Sequence, residues 1–277
     1  MNKEEQLSPE KIEIQLLFEA VFQRYGYDFR EYGKAHEKRR VLHRLALSGL
    51  QSISELQNKI LYDEKFFQIF LQDLSINTTE MFRDPAFFLA IRKQIIPILK
   101  TFPFLKIWHA GCSTGEEVYS MAILLEEKGL YKRTQIYATD FNQNILVRAK
   151  EAIYPAENMK DFTRNYIKAG GESSFADYYN ARYDSAIIKQ SLKENIVFSD
   201  HNLVTDSVFG EMNLIMCRNT LIYFNLSLQN KVIKLFSDSL APGGILCLGS
   251  KESLTFSEHR DLFEPVNLKL KIFRKKY

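Results

Sequence analysis

The spacing of apolar residues changes once along this chain, near residue 104, and that change limits the folds open to it. Before it, apolar side chains recur at helical intervals. Ile12, Leu16, Leu17, Val21 and Phe22 mark one face of a first helix, entered through Ser8 as N-cap and Pro9 in the first turn. A second helix covers residues 36–48, with Val41, Leu42 and Leu45 facing inward. The next, from Ser52 to Leu61, opens on a capping box, Ser52-Ile-Ser-Glu55. Phe66, Phe67, Ile69 and Phe70 are the apolar set of a helix over 63–73, and Pro85 starts another that reaches Leu99. No strand signal interrupts this stretch. Beyond residue 104, runs at 104–110, 135–139, 196–198, 213–216, 244–248 and 269–273 read as strands. They alternate with helices near 116–127, 143–150 and 227–240. Such alternation predicts an α/β domain around a mostly parallel sheet. The last strand follows a loop rather than a helix, which suits an antiparallel strand at the end of the sheet. Residues 151–193 fit neither pattern and read as an insertion of short strands or a small subdomain.

Charge narrows the partners. Lys and Arg number 37 against 34 Asp and Glu, a net +3, which gives no support to a whole-chain nucleic-acid binder. The average conceals a contrast: residues 1–20 carry two basic and five acidic residues, residues 21–50 seven and three. Cys112, Cys217 and Cys247 are scattered with no C-x-x-C spacing, so no zinc or redox site is expected, and a reducing, cytoplasmic compartment is the simplest. No signal-peptide core and no run of the ~18 apolar residues a membrane helix needs is visible.

Four segments carry chemistry. Ala110-Gly-Cys-Ser-Thr-Gly115-Glu-Glu117 lies between a strand and a helix, where small residues and exposed N–H groups let a ligand approach the backbone. It is neither the G-x-G-x-x-G of a dinucleotide site nor a P-loop. Asp140 ends the next strand, placed to accept from two ribose hydroxyls or, as plainly, to cap the following helix. Glu117 would repel a phosphate but suits a ligand ammonium, such as the methionyl end of S-adenosylmethionine. Asn77-Thr-Thr-Glu-Met-Phe-Arg83 is a polar cluster between apolar helices, and Met216-Cys-Arg-Asn219 ends a strand just before Tyr223.

Taken in order, Asn-Thr-Thr-x-x-Phe-Arg83, Trp108-x-Ala-Gly-Cys-Ser-Thr-Gly-Glu-Glu-x-Tyr-Ser120, Ala-Thr-Asp140, His201-Asn-Leu203 and Cys-Arg-Asn-x-x-Ile-Tyr-Phe224 resemble the CheR-type chemoreceptor glutamate methyltransferases. The resemblance runs from about residue 10 to the C-terminus. It implies an all-helical N-terminal domain over 1–75 and a linker with interdomain helix over 76–100. A class I, Rossmann-like S-adenosylmethionine-dependent domain would follow over 101–277, with a small β-subdomain inserted at about 155–193. By position in the motifs, Asn77, Thr79 and Arg83 match residues that reach the cofactor from the interdomain segment. Gly111 falls in the glycine-containing cofactor loop. Glu117 matches the acid at the methionyl moiety and Asp140 the ribose acid. Asn202 and Leu203 flank the adenine, and Cys217 and Arg218 match the strand end beside the cofactor. Arg83 and Tyr223 match the pair nearest the transferred methyl. Met81 replaces a Phe and Val118 a Pro of the pattern; neither removes a polar group.

The implied reaction is methyl transfer to receptor glutamates, giving methyl esters and S-adenosylhomocysteine, by a protein without metal. The implied partners are the cytoplasmic helices of methyl-accepting chemoreceptors, with recruitment to membrane receptor arrays but no insertion. Along residues 36–48, His36, Arg39, Arg40, His43 and Arg44 fall opposite the apolar side, either as a solvated face or as a docking surface for acidic helices. Methylation of another target, and a silent S-adenosylmethionine-binding regulatory module, are the competing functions. A Cys112 nucleophile has no partnered His in its motif.

Overall fold

The computed structural model describes residues 8–74, 79–208 and 210–277. The chain forms two compact units, the first from residues 1–76 with 223–229, the second from 77–222 with 230–277.

The first unit holds α1 (Pro9–Tyr25), α2 (Lys34–Ser48), α3 (Ile53–Tyr62) and α4 (Glu64–Leu74). Ser8 accepts from the Lys11 N–H at the head of α1, and Gly26 at φ 77° closes it. The Ser52 hydroxyl accepts from the Glu55 N–H at 3.2 Å, while the Glu55 carboxylate reaches back to the Gln51 N–H at 2.9 Å rather than to Ser52. The apolar face of α1 differs from the one read in the sequence. Ile14, Leu17, Phe18 and Val21 are buried, whereas Ile12 and Leu16 are exposed. The helix has apolar residues on more than one face, and its packing on α3 selects among them. On α2 only Val41 of the expected three is buried, and Ile69 of α4 is exposed beside buried Phe66, Phe67 and Phe70. Residues 223–225 join this unit. The Gly33 N–H donates to the Tyr223 carbonyl at 2.8 Å, Tyr32 and Phe224 form an antiparallel bridge, and the Asn225 N–H donates to the Glu31 carbonyl at 2.9 Å.

The second unit begins with α5 (Pro85–Ala90), a π-helical turn at Ile91–Ile95 and α6 (Ile96–Leu99). The sequence predicts one helix here. Pro97 has no N–H for the preceding turn, and the backbone widens ahead of it. Then come β1 (Leu105–Ala110), α7 (Glu116–Glu127), β2 (Thr134–Asp140), α8 (Gln143–Glu151), β3 (Ile153–Pro155), α9 (Met159–Lys168), β4 (Tyr179–Arg182), β5 (Ser185–Ile188), β6 (Ile196–Asp200), β7 (Met212–Cys217), α10 (Leu226–Ser239, of which residues up to 229 count with the first unit), β8 (Leu240–Leu248), β9 (Phe263–Asn267) and β10 (Ile272–Lys275).

The large sheet has the order β6-β2-β1-β7-β8-β10-β9. β6, β2, β1, β7 and β8 are parallel, and β10 is antiparallel to both its neighbours. β10 realises the expected antiparallel strand, while β9 beyond it had no clear signal. Strand order reverses between β1 and β7, which opens a crevice at their carboxyl ends. The inserted segment contributes a three-stranded antiparallel sheet, β3-β5-β4, and the unanticipated helix α9. The architecture is the predicted one: an all-helical part, then a Rossmann-like α/β part with a small inserted sheet. No helix among the described residues is long and apolar enough to cross a membrane.

One buried ion pair ties the insertion down. Arg92 in the π turn and Glu127 at the end of α7 are paired with side chains 4% and 3% exposed. The Arg92 Nε–H donates to the Ala169 carbonyl at 3.0 Å, and Glu127 accepts from the Glu172 N–H at 2.9 Å and the Tyr178 hydroxyl at 3.1 Å. Glu127→Ala strands the Arg92 charge. The expected cost is about 3–5 kcal/mol, read from urea unfolding of the full chain; a loss within experimental error would show that the pair is dispensable.

Candidate functional site

Three loops leave the carboxyl ends of β1, β2 and β7 at the point where strand order reverses. After β1, Gly111 takes φ 78°, Ser113 φ 51° and Gly115 φ 90°. A Cβ on Gly111 would lie 2.6 Å from the Thr220 Oγ1, so only glycine lets the β1 and β7 loops approach this closely. The Gly111 and Cys112 N–H groups both donate to the Thr139 carbonyl, at 2.9 and 2.8 Å, tying the loop to β2. Burial raises the Cys112 thiol well above its ordinary range, which disfavours a nucleophilic thiolate.

Asp140 ends β2 and is buried. It does not cap α8. That cap is Asn142, whose side chain accepts from the Asn144 and Ile145 N–H groups. The Asp140 carboxylate accepts from the Ser113 N–H at 3.0 Å and the Asn142 N–H at 3.1 Å. Burial outweighs these bonds and pushes its pKa up to about 6. Glu116, also buried, is raised to about 7 by the same cause.

Glu117 and Arg218 meet across 101 residues of sequence, Arg218 Nη1 donating to Glu117 Oε2 at 2.9 Å. The second Glu117 oxygen lies 3.1 Å from the His109 Nδ1. Burial alone would raise the Glu117 carboxyl. The His109 hydrogen bond and the Arg218 charge overcome it and hold the group below the usual carboxylate range. Arg218, its side chain 2% exposed, also donates through Nη2 to Asp84 at 2.6 Å and lies 4.0 Å over the Phe87 ring. Two carboxylates thus share one guanidinium, and the cluster carries a surplus negative charge.

The exit of β7 is held by a residue that sequence motifs do not mark. Buried Glu252 accepts from the backbone N–H groups of Asn219 at 3.1 Å, Thr220 at 2.8 Å and Leu221 at 2.7 Å, and from Gly249. Sequence reasoning also missed His109 and Asp84. His109 sits in mid-strand between motif residues. Asp84 before Pro85 imitates an N-cap, yet its side chain caps no N–H and its φ is 57°.

Gly111, Asp140, Cys217 and Arg218, on adjoining loops and strand ends, and Glu117, in the first turn of α7, are therefore gathered at the carboxyl ends of β1, β2 and β7. Asn202 and Leu203 follow β6 in a turn where the Asn202 Oδ1 accepts from the Val204 N–H at 3.0 Å; Leu203 is buried. Thr79 and Arg83 are half-buried, in a segment whose Phe82 N–H donates to the Ser120 hydroxyl at 2.8 Å. Asn77 lies outside the described residues. Tyr223 belongs to the first unit, its ring centroid 4.7 Å from that of His36. Arg39 is exposed and Arg40 half-buried, but Arg44 is ion-paired with Asp73, its side chain 14% exposed. The sequence's basic face is thus only partly available. The polar groups suit S-adenosylmethionine: a buried carboxylate for hydroxyls and surplus negative charge for an ammonium.

Comparison with known proteins agrees. The family model "CheR methyltransferase, SAM binding domain" matches residues 77–272, and "CheR methyltransferase, all-alpha domain" matches 12–75. The Cher3 protein of Pseudomonas putida is 53% identical over 95% of this chain and 97% of its own length. A chemotaxis protein methyltransferase of Listeria innocua is 31% identical over 86% of this chain and 89% of its own. One of Borreliella burgdorferi is 27% identical over 94% of each. The chain belongs to the CheR methyltransferase family, S-adenosylmethionine-dependent methyltransferases of chemotaxis.

Removing the Glu252 carboxylate leaves four backbone donors near β7 without their acceptor. Glu252→Ala is expected to lose about 3 kcal/mol or more and to expose 217–222 to proteolysis. Wild-type melting and cleavage would show that the loop holds itself.

Proposed function

We propose that this CheR-family methyltransferase acts on glutamate side chains in the cytoplasmic helices of chemoreceptors, as a protein-glutamate O-methyltransferase. The observation that carries the reading is that relatives named chemotaxis protein methyltransferases align along nearly the whole chain, helical part included. A receptor carboxylate is ionised at neutral pH and needs no general base. When bound, S-adenosylmethionine supplies an electrophilic methyl group. The chain's own work is then to hold the two reactants in line, which by itself lowers a barrier greatly.

In this reading Asp140 accepts from the ribose hydroxyls, Glu117 takes the methionyl ammonium, and Asn202 and Leu203 flank the adenine. Gly111 closes the cofactor loop against Thr220, Cys217 and Arg218 line the β7 end, and Asn77, Thr79 and Arg83 reach the cofactor from the segment before α5. Arg83 orients the incoming carboxylate and Tyr223 shapes its approach. The acidic receptor helix docks on α2 through Arg39 and Arg40. Arg44 contributes less than its sequence position promises, because Asp73 already neutralises it. The protein would work in the cytoplasm, drawn to membrane receptor arrays by its substrate.

Three measurements test this. Tritiated methyl groups transferred to receptor-bearing membranes should be released by base as methanol, and a base-stable product would refute the ester. Arg83→Ala should lower methylation by about a hundredfold, the scale of a lost positioning contact, and S-adenosylhomocysteine affinity by a smaller factor, since Arg83 also reaches the cofactor; normal turnover would remove Arg83 from the reaction. Because ribose hydroxyls donate to the ionised acid, S-adenosylhomocysteine affinity should fall as pH drops below about 6. Asp140→Asn should be weak at all pH values and flatten that dependence, whereas an unchanged profile would separate Asp140 from the ribose.

A further inference from the structure

His109 occupies a position in β1 whose neighbours Ile107, Trp108 and Ala110 are apolar and buried, and it is itself 1% exposed. An imidazole in such surroundings is costly unless it is hydrogen-bonded. Its Nδ1 lies 3.1 Å from Glu117 Oε1, and because an ionised carboxylate oxygen only accepts, the hydrogen is on Nδ1. Arg218 holds Oε2. The carboxylate is gripped at one oxygen from β1 and at the other from the end of β7. Arg218 alone would not fix it, because it reaches only Oε2, through Nη1, its Nη2 being given to Asp84. A carboxylate has about four acceptor directions, and two donors leave acceptor capacity for a third.

We propose that His109 is a positioning residue for the methionyl end of the cofactor, holding Glu117 so that its remaining lone pairs meet the ammonium group. The inference rests on the reading that Glu117 takes that ammonium. It separates from a plain packing role by ligand selectivity. A residue that only fills the core affects every adenosine ligand alike, whereas one that acts through Glu117 affects only ligands that carry the amino-acid end.

The experiment is calorimetric titration of the full chain with S-adenosylhomocysteine and with 5′-methylthioadenosine, which keeps the adenosine and the sulfur but lacks the amino acid. His109→Leu preserves bulk and removes the donor; His109→Ala is the second variant should leucine prevent folding. Either is expected to weaken S-adenosylhomocysteine about tenfold, the scale of one hydrogen bond to a charged group, and to leave 5′-methylthioadenosine within about twofold. His109→Asn, whose amide can donate in place of Nδ1–H, should recover most of the loss. Glu117→Gln should weaken S-adenosylhomocysteine at least as much and spare 5′-methylthioadenosine. If Glu117→Gln leaves S-adenosylhomocysteine unchanged, the ammonium reading fails and the role of His109 falls with it. If Glu117→Gln behaves as expected while His109→Leu weakens neither ligand, or weakens both alike, the positioning role is overturned and the ammonium reading stands.

Discussion

Glu252 spends its whole carboxylate on the backbone, accepting from the N–H groups of Asn219, Thr220 and Leu221 and of Gly249. Those donors are what make so buried an acid tolerable: burial raises its pKa, and the four N–H bonds oppose the rise. The clamp joins the β7 and β8 exits. It fixes Asn219 at φ 63° and sets Thr220 against Gly111, so the β1 loop is held to the same assembly. On one side of the clamped residues stands Arg218, in the shared ion cluster. On the other, the chain passes at Tyr223 into the first unit. The backbone that carries Arg218 into its ion cluster is thus fixed, on its far side, by this carboxylate.

The elements were readable where local chemistry decides them. Ser8, Ser52 and Gly26 mark helix ends through short-range bonds and backbone freedom, and the strands of the parallel sheet announce themselves as apolar runs. Reading failed where tertiary contact chooses between local options. Ile12 and Leu16 obey helical spacing as well as Ile14 and Phe18 do, and only packing against α3 decides which pair is buried. Asp140 and Asn142 are both plausible caps for α8, and the structure gives that role to Asn142, leaving the Asp140 carboxylate to the β1 loop.

Charge was legible as composition and misleading as surface. The basic stretch over 21–50 is largely compensated within its own unit. Arg30 is paired with Asp28 and Glu19, Lys34 with Glu37, Lys38 with Glu10 and Arg44 with Asp73. Glu37 is itself buried and raised to about 7, so it compensates less as pH falls. The field available to an acidic partner is set by what these pairs leave over, and Arg39 contributes more of it than a count of arginines suggests.

The ion cluster shows why a site of this kind resists reading from sequence. Arg218 is separated from Glu117 by 101 positions and from Asp84 by 134; pairing of β1 with β7 brings the first two together, and the turn into α5 supplies the third. Lysine would not replace the arginine. A flat guanidinium donates in two directions while lying over Phe87, which a single ammonium cannot do. With Asp84 and Glu117 opposed by one fixed cation, the negative surplus is built into the fold, although Asp84 is half exposed to solvent. Glu117 is the more buried of the two acids, and its oxygens are pinned from two strands. The surplus is therefore best defined in space at Glu117, where a ligand's positive charge gains most from meeting it.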